Sequence, residues 1–157
     1  MKTSHLSPLI GRLLVLGVVL VGIALFSASL AFDAAQFTVV NKSSAEMLML
    51  GWMGPLGLHF GWYANLLLPS AWLLALVLKR PVAIGAMALG ILTLLVGLTS
   101  FYTLGHFSVF GRHENETAGD LVRFLPGIYL WTASLATGLF AGVASFVLAQ
   151  LAIPPGE

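Results

Sequence analysis

Apolar residues run along this chain in four long segments, which are separated by shorter stretches that contain most of the charged residues. The apolar segments cover residues 13–32, 57–78, 82–104 and 125–151. Each is about 20 residues long or longer, the length that an α-helix needs to cross the hydrocarbon core of a bilayer. The pattern therefore predicts an all-α integral membrane protein with four transmembrane helices, in a single domain over residues 1–157.

The first apolar segment allows a second interpretation. Ser29-Leu30-Ala31 resembles the small-residue cleavage site of a secretory signal peptide. The apolar core of a signal peptide is roughly 7–15 residues long, and the run over residues 13–32 is longer. We therefore expect an uncleaved first transmembrane helix.

A helix-start signal precedes the second segment. Ser43 and Glu46 have the spacing of a capping box, in which the serine accepts a hydrogen bond from the amide three residues later. The apolar residues that follow are interrupted at Gly54-Pro55. Two interpretations stay open: a short interfacial helix at the membrane surface before the second span, or a second span that begins early and kinks at Pro55.

The composition supports a membrane protein. The chain is 59% hydrophobic and only 8% charged, whereas a soluble domain has roughly a quarter charged residues. The absence of cysteine excludes disulfides, thiolate metal sites and cysteine nucleophiles. A net charge of +1 gives no indication of a nucleic-acid partner, and the lipid bilayer is the expected one.

The positions of the basic residues predict the orientation. In a four-span chain Lys2, Arg12, Lys79 and Arg80 lie on one side and Lys42, Arg112 and Arg123 on the other. Basic residues are retained on the cytoplasmic side, most reliably in short loops such as that of Lys79-Arg80. We expect both termini in the cytoplasm. The Ala/Leu/Gly-rich, cysteine-free composition is typical of a bacterial cytoplasmic (inner) membrane protein.

Most of the polar and aromatic side chains that could act within the membrane then lie in its outer half. The candidate ligand- or partner-binding residues are His59, Trp62, Tyr63, Asn65, Tyr102, His106 and Tyr129. The alternative is an aromatic belt at headgroup level, although belts usually occur at both interfaces.

Asn65 is the most interior strongly polar residue of the second segment. Pro69 removes the hydrogen bond that would normally reach the Asn65 carbonyl. Unpaired polar groups are costly in hydrocarbon, so both groups need partners. They could bind a ligand head group, a quinone or an ion, or the amide could form an interhelical hydrogen bond that fixes the bundle.

Two cofactor hypotheses involve histidine. His59 and His106 could ligate a haem b from adjacent helices, and His106, His113, Glu114 and Glu116 could form an external metal site. Two histidines on separate helices, or four polar residues in one loop, are weak signals. We expect no cofactor and no metal.

The sequence predicts an accessory or structural subunit of a larger membrane protein assembly, with a partner- or ligand-contacting surface in the outer leaflet. One alternative is a small ligand-binding or haem/quinone redox protein that uses His59 and His106. Another is a homo-oligomeric passive channel or transporter. No nucleophile–base set or carboxylate pair is evident, so we do not expect an enzyme.

Overall fold

The structure, a computed structural model, describes residues 8–53, 60–106 and 120–151. It is mostly helical and includes a small sheet. The helices are α1 (Pro8–Ser29), α2 (Ser44–Leu50), α3 (Ala64–Ala75), α4 (Arg80–His106) and α5 (Pro126–Leu151); the strands are β1 (Asp33–Phe37), β2 (Asn41–Ser43) and β3 (Leu121–Phe124).

Three of the described helices are long and apolar enough to cross a membrane, over Leu9–Ser29, Arg80–Leu104 and Pro126–Leu151. They match the first, third and fourth predicted spans to within a few residues. The first ends earlier than predicted because three consecutive i→i−3 hydrogen bonds, the last from Phe32 N to Ser29 O, tighten the chain into a turn. The length and apolar composition of these three helices therefore support an α-helical membrane protein.

The predicted second span, residues 57–78, is not confirmed as a transmembrane helix. Residues 57–59 lie outside the described part, and the remainder forms a 3₁₀ turn at Gly61–Tyr63 followed by α3. With 12 residues, α3 is about 18 Å long, against a hydrocarbon core of roughly 30 Å. Beyond α3, Leu78 has a φ of 53°, and this left-handed residue helps to reverse the chain before Lys79.

Small residues let α5 pack closely against its neighbours. Ser134, Gly138 and Gly142 are all buried on α5. A methyl group added at Gly142 would lie 2.6 Å from the Cα of Met87, and one added at Gly90 would lie 2.6 Å from the Leu139 amide nitrogen. The small-residue stripe of α5 therefore serves packing inside the chain, where it allows the backbones of α4 and α5 to approach.

The core between α1, α3 and α5 contains buried aliphatic residues around one tryptophan. Val15, Val19, Leu68 and Leu135 are buried with Trp72 in one cluster. The Trp72 indole nitrogen donates to Thr137 Oγ1 at 3.0 Å. Because the indole is both packed and hydrogen-bonded, α3 is attached firmly to α5.

The expectation of a purely helical chain missed a three-stranded antiparallel sheet, with strand order β2-β1-β3. Gln36 pairs with Arg123 in this sheet, and Arg123 Nε donates to Gln36 Oε1 at 2.7 Å. The Leu125 amide also donates to the Ala34 carbonyl at 2.9 Å. The sheet therefore joins the two predicted outer loops at the end of the bundle where α1 and α4 end and α5 begins.

The capping signal at Ser43 correctly predicted the start of a helix. Ser43 Oγ accepts from the Glu46 amide at 3.1 Å at the start of α2. The Glu46 carboxylate does not complete a capping box, because it pairs with Lys42 Nζ at 2.6 Å. The helix is distinct from α3, in agreement with the first of the two interpretations, and its position relative to a membrane stays a prediction.

Candidate functional site

A cavity of ≈ 80 Å³ lies at the sheet end of the bundle, and we call it the sheet-side cavity. It lies between the last turns of α1 and α4, the first turns of α3 and α5, strand β1 and helix α2. Its described polar lining residues are Ser29, Ser44, Trp62, Asn65, Ser100, Thr103 and Trp131, and its larger apolar ones are Phe26, Leu30, Met47, Leu48, Leu104 and Ile128. One water needs roughly 10–15 Å³ of cavity volume. The cavity can therefore hold several waters or one small functional group.

Helix α2 covers the cavity and is attached to the start of α3 through Trp62. The Trp62 indole nitrogen donates to the Leu48 carbonyl at 2.7 Å. This carbonyl lies in the last turn of α2, where backbone acceptors have no partner within the helix. Gly51 follows the helix, and any side chain there would collide with the Trp62 ring. The tryptophan thus holds α2 in place.

Asn65 forms a hydrogen bond between two helices. The Trp131 indole nitrogen on α5 donates to Asn65 Oδ1 on α3 at 2.7 Å. The interhelical interpretation of Asn65 is therefore correct for its oxygen. Its Nδ2 carries two donors, and for these the structure gives no partner among the described residues. Asn65 also lines the cavity, and a ligand-binding role for this residue stays a prediction.

Ser44 is the second notable polar group. It is 8% exposed, and its Oγ has no hydrogen-bond partner in the described part of the chain. Its side chain lies over Gly127, where an added methyl group would collide with Ser44 Oγ and would lie 2.7 Å from the Asp33 carbonyl oxygen. A buried hydroxyl without a partner costs about 1–3 kcal/mol, so this group favours any bound molecule that supplies one.

None of the described lining residues is ionisable in the physiological range, since they include no Asp, Glu, His, Lys or Arg. A charged group inside such an apolar cavity would lose its hydration without gaining a counter-ion. The polar lining instead consists of hydroxyl, indole and amide groups that can exchange hydrogen bonds. The cavity is therefore suited to an uncharged molecule.

Among the predicted site residues whose side chains the structure describes, Trp62 and Asn65 line this cavity. Tyr63, Tyr102 and Tyr129 are 36%, 64% and 56% exposed, respectively, and belong to the outer surface of the bundle. Tyr129 packs beside Phe101, with ring centroids 6.1 Å apart. The predicted set thus divides into a cavity pair and a group of surface tyrosines.

The two predicted histidines remain untested. His59 lies outside the described residues, and His106 is the last residue of α4 with a side chain that also lies outside them. The loop residues His113, Glu114 and Glu116 of the metal hypothesis lie outside as well. In the described ranges, no group of three or more His, Asp or Glu residues could hold a metal ion.

Sequence analysis missed the hydroxyl residues of the cavity and the role of Trp131. Ser29, Ser100 and Thr103 lie in apolar helices where hydroxyls commonly bond the preceding turn, as Ser29 Oγ does to the Phe26 carbonyl at 2.6 Å. The one available signal was the position of these small polar residues near the ends of two apolar segments. Without the tertiary structure, nothing distinguished those residues from the many others of their kind.

Comparison of this chain with family models, with curated proteins and with solved structures finds no match.

Proposed function

We propose that this chain is an integral membrane protein that binds a small, uncharged and largely apolar molecule in the sheet-side cavity. The observation that supports this proposal is an apolar cavity whose described lining contains no ionisable residue and includes a few hydrogen-bonding groups. Ligand sites have this composition, because apolar walls supply burial and a few polar groups fix orientation. The small volume of ≈ 80 Å³ favours a ligand that inserts one functional group and the adjoining part of its apolar chain, while the rest of the chain stays in the lipid.

The position of the cavity in the membrane follows from the proposed orientation. Lys79 directly precedes α4 and Arg80 is its first residue, at the opposite end from the sheet, and basic residues favour the cytoplasmic side. We place this end and both termini in the cytoplasm of a bacterial cell, and the sheet and α2 at the outer face of its inner membrane. Lipid-soluble molecules in the outer leaflet would then be the available ligands.

A pair of methionines in α2 provides the test. Met47 lines the cavity, whereas Met49 on the same helix is 75% exposed. The protein is reconstituted in lipid nanodiscs, and its unfolding midpoint is measured with and without 2-undecanone, a neutral probe with a small polar group. At a concentration about one hundred times the Kd, binding should stabilise the folded state by about 2.7 kcal/mol.

Met47→Trp should abolish this ligand-dependent shift because the larger ring fills the cavity. Met49→Trp makes the same substitution on the exposed side of the helix and should retain the shift. A wild-type midpoint that does not respond to the probe would remove the support for ligand binding. Equal shifts in both variants would place the probe elsewhere on the protein.

A second candidate function, an accessory subunit of a membrane assembly, is favoured by the exposed aromatic residues near the sheet end. Tyr129 on α5 is 56% exposed, whereas Phe140 on the same helix is 62% exposed and about three turns farther from the sheet. If a partner covers the outer surface, Tyr129→Ala should reduce the size of the complex in mild detergent and Phe140→Ala should not. If both substitutions had the same effect on the size of the complex, both rings would be assigned to lipid contact. The channel alternative remains a prediction that no described feature favours.

A further inference from the structure

Two hydrogen-bond donors at the sheet-side cavity lack partners in the described structure. One is the Ser44 hydroxyl, which belongs to a residue more than nine-tenths buried. The other is Asn65 Nδ2, on a half-buried residue whose Oδ1 is already occupied by the Trp131 indole. Both residues line the cavity, so a molecule within it could accept hydrogen bonds from them.

Both donors are positioned by consecutive turns of α5. The Ser44 side chain lies over Gly127, and Asn65 is bonded to Trp131, four residues later. Four residues correspond to a rise of about 6 Å along a helix. Ser44 and Asn65 are therefore held against adjacent turns of α5, and both line the same cavity.

The chemistry of the donors restricts the ligand. An amide nitrogen donates and does not accept, whereas a carbonyl oxygen accepts through two lone pairs. The absence of an ionisable residue from the described lining disfavours a carboxylate or phosphate at this point, because its charge would be buried without compensation. The complementary group is therefore a neutral acceptor.

We infer that Ser44 Oγ and Asn65 Nδ2 recognise the carbonyl oxygen of a ketone or ester on a lipid-soluble molecule. The inference rests on the proposed ligand-binding function and adds the chemical class of the ligand. The carbonyl group could come from either of two sources, the ester of a membrane lipid or a free apolar molecule such as a quinone. Ser44 acts here as a specificity-determining residue.

Matched probes test the recognition of the carbonyl. Binding of 2-undecanone and of undecane, which lacks only the oxygen, is measured on the full chain in nanodiscs made from ether-linked lipids. The wild type should bind the ketone at least tenfold more tightly than the alkane. Binding of both with equal affinity would support the cavity but overturn the carbonyl inference, whereas binding of neither would overturn the proposed function as well.

The Ser44→Ala variant tests the assigned donor, and Ser145→Ala is its control. Ser145 also carries a buried hydroxyl without a described partner, but it is not among the residues that line the cavity. Ser44→Ala should reduce ketone affinity about tenfold and leave alkane affinity unchanged, and Ser145→Ala should change neither. In the absence of a probe, neither variant should lower the unfolding midpoint, because each removes a hydroxyl that has no bond to lose.

A ketone-to-alkane preference that is unchanged by Ser44→Ala would overturn the assignment of Ser44, and would be expected if bound water satisfies the hydroxyl. The native source of the carbonyl group is identified by repeating the ketone titration in nanodiscs made from ester-linked lipids. Weaker apparent ketone binding there would support a lipid ester as the native occupant, through competition. Unchanged binding would support a free carbonyl compound.

Discussion

The close contact between α4 and α5 makes a sharp stability prediction for Gly142→Ala. The new methyl group would lie 2.6 Å from the Met87 Cα and 2.7 Å from the Met87 nitrogen. Ordinary contacts begin at 3.4 Å, so the backbones would have to separate by about 0.8 Å. Backbone atoms cannot rotate away as a side chain can, and the strain is therefore transmitted to the helix pair.

The expected cost follows from two opposing effects. Overpacking of a close-packed interior costs about 1–3 kcal/mol, and a gap of about 0.5–1 Å forfeits a quarter to a half of each dispersion contact. Alanine offsets part of this cost, because it favours a helix by about 0.8–1.0 kcal/mol over glycine. We expect a net loss of about 1–2 kcal/mol in the free energy of unfolding.

Gly85→Ala is the matched control, since Gly85 lies within α4 and an added methyl group would meet nothing within 4 Å. Unfolding of both variants is followed by circular dichroism during titration of mixed micelles with sodium dodecyl sulfate. Gly85→Ala should be as stable as the wild type or more stable. If Gly142→Ala showed the same stability as Gly85→Ala, the close α4–α5 approach would be refuted.

Three further predictions concern the hydrogen bonds and the topology. Trp131→Phe removes the bond to Asn65 Oδ1 and should lower the free energy of unfolding by about 1 kcal/mol, measured by the same titration; no change would show that the bond contributes nothing net. Ser43→Ala removes the cap of α2 and should increase amide exchange in this helix, with a local cost of about 1 kcal/mol, while exchange in α5 stays unchanged; exchange that rises equally in both would contradict a local role. Reporters fused at Pro81 and Asn115 should be cytoplasmic and external, respectively, and an external signal at Pro81 would reverse the proposed orientation.

Trp72 is not a suitable control for substitutions of the exposed aromatic residues. By its position in the predicted second span, Trp72 lies toward the cytoplasmic side and Trp62 toward the outer side, so the two tryptophans could be compared. The structure shows instead that Trp72 is buried and bonded to Thr137, so its removal would damage the core of the bundle. Phe140 is the better control, because it shares the exposure of the surface tyrosines.

The sequence by itself determined the features that depend on neighbouring residues. All four apolar segments were long enough to predict spanning helices, and three of them form helices close to those predicted, because helix length and hydrophobicity are local properties. The cap at Ser43 was predictable for the same reason, since it involves an amide three residues away.

Only the tertiary structure decided which distant residues meet. Gln36 and Arg123 are 87 positions apart, and strands of three to five residues carry too little pattern to predict such a pair. The sequence also could not show that Ser44 and Asn65 share one cavity. The partners of a buried polar side chain depend on how helices distant in sequence pack together, and the local pattern of either helix does not contain that information.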